Sequence, residues 1–213
     1  MAVNLYVYPP SPRSFKAIAV ADYLGSEVAI NIVDLTTGQH RTDDFAAVNP
    51  NRRVPALEHD GFTLWEANAI LLYLANMDTK NSLMPSSAAG RARVAQWQFW
   101  DLAHWEAACT PLIFEKFVKP VLMQGVSDES EIARGLAAFR VHAPILDAQL
   151  ARTRFACGDD LTIADFSLGA VLNLSAVAGI PVSDYSNIAR WHRDLVSIPA
   201  WRNSMVCPPC NAA

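Results

Sequence analysis

Basic residues do not gather anywhere in this chain. Its 17 Lys and Arg never run longer than Arg52-Arg53, and 21 Asp and Glu leave a formal net charge of -4. Such a chain has no general attraction for phosphate backbones or anionic lipid, so neither nucleic acid nor a membrane is an expected partner. The first residues, MAVNLYVYPP, lack a basic start ahead of a long apolar core and do not read as a signal peptide. The longest uncharged stretch, 166–183, is broken by Asn173, Pro181, two glycines and three serines. It reads as a buried helix plus a turn rather than a membrane span. Cysteine is scarce: Cys109, Cys157, Cys207 and Cys210, with only the last two close together. That excludes a secreted disulfide framework, and one C-x-x-C is a weak zinc signature. The Cys207-Pro208-Pro209-Cys210 tail reads as a redox pair, a partial metal site or an inert end. A reduced, cytoplasmic protein without metal is expected. Charged residues are also few, at 18%, against the usual quarter or so, and disorder needs the reverse composition.

What is abundant is apolar and aromatic. The 213 residues are 52% hydrophobic with six tryptophans, enough for a full core without staples and for one or two domains. The surplus suggests an apolar interface, an apolar pocket, or both. Residues 3–8 (VNLYVY) read as a strand, and Ser11-Pro12 as an N-cap with proline at the first helical position. That helix ends at Gly25, and 28–35 forms a second strand. Residues 36–51 read as loop, and 54–57 with 63–65 as a hairpin around Asp60-Gly61. A helix over 66–75 follows. This is a small α/β domain with a mixed sheet over 1–78. A Ser/Asn/Pro/Ala linker covers 79–88, and 89–213 is all helical. The helices expected there are 91–117 with a break at Pro111, 129–151 with Pro144 inside it, 162–177 and 185–195, with a short 200–201 segment last.

Three passages point further. Asn49-Pro50, Val54-Pro55-Ala56-Leu57, Asp60-Gly61 and Trp65-Glu66-Ala67-Asn68-Ala69-Ile70 resemble the glutathione-binding half of cytosolic glutathione transferases. Phe155 to Asp165 (FACGDDLTIAD) is similar to that family's helical-domain signature. The order of elements matches too, so the resemblance implies a thioredoxin-like domain with a four-stranded mixed sheet, then an all-helical domain. Thr162 and Asp165 also have a purely structural reading, as a capping box.

Thioredoxin-like oxidoreductases keep C-x-x-C where the first strand meets the first helix, because a helix N-terminus stabilises a thiolate. Here that place reads Ser11-Pro12-Arg13-Ser14. A serine cannot form a mixed disulfide. It can donate a hydrogen bond to the sulfur of bound glutathione, which lowers the thiol pKa and supplies a nucleophile. The serine-type groups (phi, tau, theta, zeta) resemble this arrangement, with a basic residue four or five places on; Lys16 stands five after Ser11. Ser11 is therefore the catalytic candidate. Ser14 and the tyrosines Tyr6 and Tyr8 remain open as alternatives, and Ser11 could equally be a plain N-cap.

The resemblance implies the rest of the site. A cis Val54–Pro55 bond would present Val54 to the cysteinyl backbone. Glu66 would meet the γ-glutamyl ammonium, and the helix beginning there its carboxylate. The family has Ser after this Glu; Ala67 removes that hydroxyl, with Asn68 adjacent. His40 and Arg53 would hold the glycyl carboxylate, though both also read as ordinary surface residues. An apolar electrophile pocket is expected beside Ser11, from Tyr8, His104 and Trp105, between the domains. The resulting expectation is a homodimeric glutathione S-transferase acting on small hydrophobic electrophiles, with glutathione as cosubstrate and no other cofactor. Dehalogenases, isomerases, peroxidases and non-catalytic binding proteins share the scaffold, since fold does not fix reaction.

Overall fold

The computed structural model describes residues 3–205. The Cys207/Cys210 tail lies outside the described residues. The chain divides into two compact units. One takes residues up to Ser82 together with those from Ser197 onward, and the other is Leu83–Val196.

The first unit is built on a four-stranded sheet. Strand β1 (Val3–Val7) buries Val3, Leu5 and Val7 by simple alternation. Pro12 opens helix α1 (Pro12–Leu24), and Gly25 closes it at φ 62°, a left-handed cap that suits a residue without Cβ. The chain then adds β2 (Val28–Ile32) parallel to β1, with Val7 opposite Ile32. Strands β3 (Ala56–His59) and β4 (Phe62–Trp65) form a hairpin, and β3 runs antiparallel to β1. The sheet order is β2-β1-β3-β4. Asp60 at φ 50° and Gly61 at φ 79° give the two positive-φ positions that a two-residue hairpin loop needs.

Three features of this unit depart from expectation. The second strand stops at Ile32 rather than residue 35, because Asp34 turns the chain. Its carboxylate accepts from the Thr36 N–H (2.8 Å) and hydroxyl (2.6 Å), and these bonds hold its pKa below the ordinary value. The segment read as loop contains a short helix, α2 (Asp43–Val48), capped by the Thr42 hydroxyl and anchored by buried Phe45. The helical domain does not extend to the C-terminus. Past helix α3 (Ala67–Met77) and the whole second unit, the last described helix belongs to the sheet unit. There Trp201, fully buried, meets Phe15 of α1 edge-on at 4.9 Å, and the Asn203 amide donates to Asp22 at 3.2 Å.

The second unit is helical. Where a helix over 91–117 broken at Pro111 was expected, α4 (Ala88–Trp100) and α5 (Glu106–Ile113) alternate with π-helical segments at Asp101–Trp105 and Phe114–Leu122. Pro111 and Pro120 lack backbone donors, and wider turns accommodate such gaps. Helix α6 (Glu129–Leu150) crosses α5 closely at Gly135. A Cβ there would stand 3.0 Å from Leu112 and 3.2 Å from the Ala108 carbonyl oxygen. The apolar stretch after Thr162 forms α7 (Ile163–Gly169), a 3-10 segment (Ala170–Leu174) and α8 (Ser175–Ala178). Helices α9 (Ser186–Ser197) and α10 (Pro199–Met205) complete the order. Among the described residues no helix is long and apolar enough to cross a membrane.

Thr162 and Asp165 form the capping box that opens α7. Asp165 is fully buried and does more than cap. It accepts from the backbone N–H groups of Ala156 (2.8 Å) and Thr162 (3.0 Å), and from the indole of Trp191 (2.9 Å). Burial raises its pKa, and these donated bonds pull it back. Loss of the carboxylate leaves several buried donors without a partner, each at a penalty of about 1–3 kcal/mol. Asp165→Ala is thus expected to lower unfolding free energy by more than about 3 kcal/mol, and Thr162→Ala by only about 1 kcal/mol. Urea titration of both variants checks the ratio, and equal losses would contradict it.

Candidate functional site

The topology brings four chain segments to one end of the sheet. Strands β1 and β2 finish there, and β3 begins beside them, since Tyr6 pairs with Ala56. Strand β4 ends there too, because Ala56 faces Trp65. Ser11, the turn after β2, Val54-Pro55 and Glu66 therefore leave the sheet at the same end. Ser11, Arg13, Leu35, His40, Asn51, Arg52, Arg53 and Val54 line a recess of ≈ 320 Å³. Three arginines and a histidine face it and no carboxylate does, so it favours an anion.

Ser11 occupies the N-cap of α1 in extended conformation, φ −78° and ψ 125°, yet its hydroxyl makes no capping bond. Its backbone N–H donates to Tyr8 O (2.9 Å) and its carbonyl accepts from Phe15 N–H (2.9 Å). Ser14 is fully buried, and its Oγ accepts from the Tyr8 N–H at 3.1 Å. The Tyr6 hydroxyl donates to Glu58 at 3.0 Å, and burial with this carboxylate raises its pKa. Tyr8 packs half-buried against Val33, Phe45, Val54 and Ala56. Lys16 is buried within α1.

The rest of the recess is set by Asn49, itself 3% exposed. Its amide donates to Arg53 O (2.6 Å) and its carbonyl accepts from the Asn51 N–H (2.9 Å). The Val54–Pro55 peptide is cis. The His40 Nδ1 is buried with no hydrogen-bond partner among the described residues. Arg53 is exposed, and among the described residues nothing fixes its side chain. Glu66 heads α3 beyond the recess lining, at φ 72° and ψ 118°. A non-glycine residue in that region is strained, a condition that concentrates at ligand sites. Ala67 and Asn68 behind it are buried, at 3% and 7% exposure, so the Asn68 amide sits in the interior.

Two expectations need correction. Trp105 is not a pocket wall: it is fully buried, its indole donates to Leu168 O at 2.9 Å, and it packs on Phe139 at 5.0 Å. The recess beside Ser11 is not apolar, since only Leu35 and Val54 are aliphatic among its lining. His104 lies exposed in the helical unit, its ring 5.1 Å from that of His142. Arg13, Leu35 and Asn51 were missed by sequence reasoning; of these only Arg13 carried a signal, as a cation in the first turn of α1 beside Ser11. Neither described cysteine suits nucleophilic work. Burial and the charges of Asp101 and Glu106 push the Cys109 thiol well up, and burial takes Cys157 to about 11. Among the described residues no group of three His, Cys, Asp or Glu could hold a metal.

Residues 1–76 match the glutathione S-transferase N-terminal domain family, and residues 129–194 match the glutathione S-transferase C-terminal domain family. The chain belongs to the glutathione S-transferase family. Glutathione S-transferase 3 of Zea mays is 29% identical over 97% of this chain and 95% of its own. The probable glutathione S-transferase GSTF2 of Oryza sativa subsp. japonica is 26% identical over 97% and 98%. A crystal structure of a glutathione S-transferase from Pseudomonas fluorescens superposes with TM-score 0.84 at 29% identity. That match covers 94% of this chain and 97% of the other.

The two serines of this transferase separate by stability alone. Ser14→Ala removes the acceptor of the half-buried Tyr8 N–H and opens a gap at a fully buried position, and is expected to reduce unfolding free energy by about 1–2 kcal/mol. Ser11→Ala removes no capping bond and is expected within about 0.5 kcal/mol of wild type. Chemical denaturation measures both, and a large loss in Ser11→Ala would show that its hydroxyl has a structural bond.

Proposed function

We propose that this transferase binds glutathione at the cationic end of the sheet, holds it as a thiolate at Ser11 and adds it to small hydrophobic electrophiles. The observation that carries this reading is a serine hydroxyl left uncommitted at a helix N-terminus, inside a recess with three arginines, one histidine and no carboxylate. The hydroxyl donates to sulfur, and the N-terminal N–H groups of α1 favour negative charge there. Ser14 and Tyr6 are committed to the Tyr8 N–H and to Glu58, which supports Ser11 over both.

The glycyl carboxylate lies against His40 and Arg53. The cysteinyl backbone pairs with Val54 ahead of Pro55, as an added strand would. Glu66 faces the γ-glutamyl ammonium, and the N–H of Ala67 at the head of α3 faces its carboxylate. The strain at Glu66 supports a ligand role for that residue. Tyr8 is the residue proposed beside the electrophile. Glutathione is the cosubstrate and no further cofactor is invoked. The reduced-thiol composition supports a cytoplasmic location.

Retention on immobilised glutathione, then turnover of a chloronitrobenzene substrate, tests this function. Ser11→Ala is expected to lose the ultraviolet thiolate signal of bound glutathione and roughly 10²-fold in kcat. An unchanged signal in Ser11→Ala would overturn its role, and no retention with no turnover in wild type would favour a binding protein without catalysis.

A homodimer is part of this proposal. Phe99 is 71% and Leu102 37% exposed on the first long helical segment of the second unit. Sedimentation velocity is expected to show a dimer that Phe99→Asp dissociates; a wild-type monomer would sink the idea.

A further inference from the structure

The recess has two walls that no strand pairing joins. One is the turn 38–43, which carries His40. The other is the segment 49–54, which carries Asn51, Arg53 and Val54. Between them the chain runs through α2. Arg52, which the sequence marks only as one half of a basic pair, bridges the walls directly. Its guanidinium donates to the Arg41 carbonyl, to the Thr42 carbonyl (3.2 Å) and to the Asp43 carboxylate (2.9 Å). Two of these acceptors are backbone atoms immediately after His40.

We infer that Arg52 is a positioning residue: it fixes the spacing of the two walls, and so sets how well His40 and Arg53 together hold the glycyl carboxylate of glutathione. The inference rests on the glutathione reading above.

Three observations carry it. The backbone at Arg52 has φ 54°, the left-handed region, which turns its side chain back across the recess toward the first wall. That conformation is held from behind: the Arg52 N–H donates to Asn49 O at 2.9 Å, and the buried Asn49 side chain ties down Asn51 and Arg53. The ion pair itself adds little, because the Asp43 side chain is 99% exposed and such pairs are screened. The bonds to the two carbonyls carry the clasp, and they need a planar fork with several donors at fixed angles. A lysine ammonium on a flexible stem cannot reproduce that. A preformed gap between two cationic walls binds a carboxylate without first ordering the loops, and that is where affinity is gained.

The test pairs two ligands with four proteins: wild type, Arg52→Ala, Arg52→Lys and Asp43→Asn. The ligands are glutathione and an analogue whose glycyl carboxylate is a neutral amide, with binding measured by titration calorimetry. Wild type is expected to favour glutathione over the amide. Arg52→Ala is expected to lose on the order of tenfold for glutathione and little for the amide, so the preference shrinks. Arg52→Lys recovers only part of it, and Asp43→Asn behaves as wild type. In turnover the Arg52 variants raise KM for glutathione and leave kcat within about twofold. A wild-type preference retained by Arg52→Ala overturns the inference. If the alanine variant does not fold, an unchanged preference in Arg52→Lys overturns it equally. Wild-type protein that binds glutathione but ignores the amide change refutes the glycyl assignment of His40 and Arg53. Wild type that binds neither ligand refutes the glutathione reading as a whole.

Discussion

One topological constraint governs the first unit. A parallel β1–β2 pair with α1 as its crossover, combined with an antiparallel β3–β4 hairpin, sends four segments out of the same end of the sheet. The parallel pair requires a crossover of this kind, and the hairpin requires its open end to lie opposite the Asp60-Gly61 turn. Once those pairings form, Ser11, His40 and Val54 share one recess and Glu66 leaves the sheet at the same end, although they span more than fifty residues of sequence. Strand pairing and the Asn49 network supply the order, and neither the Ser11 hydroxyl, which makes no capping bond, nor the His40 Nδ1, unpartnered among the described residues, contributes to it.

The sequence was legible where signals are local. Ser11-Pro12 and Gly25 delimit α1, Asp60-Gly61 fixes the hairpin, and Thr162 with Asp165 opens α7, because each relies on bonds within a few residues. It was not legible where the deciding contact is remote or the element is too short. Helix α2 has six residues, less than two turns, and its single buried anchor, Phe45, shows no period. The return of Trp201 to Phe15 joins positions that no pattern along the chain relates. The π segment after α5 contains Pro120, whose presence signals a disturbance but not which helical form absorbs it, and the one before α5 has no such signal.

The same division holds for the candidate site. Ser11, His40, Arg53 and Val54 meet in one recess, and the resemblance placed them by motif. The character of that recess was misjudged. Excess apolar composition suggested a greasy pocket, yet the tryptophans went inward instead: Trp105, Trp191 and Trp201 are fully buried. Composition reports how much apolar surface exists and not which atoms face solvent. Arg52 was not legible as a site residue for a related reason, since a surface arginine in a sequence looks the same whether it points to water or into a cleft.

The C-terminal helix α10 also orders events in time. Its Trp201 covers Phe15 on α1, the helix headed by Ser11, yet it is made after the entire helical unit. A nascent chain can pair the strands of its first domain early. It cannot bury the outer face of α1 until the residues of α10 have left the ribosome. The helix headed by Ser11 thus stays only partly supported until α10 has been made.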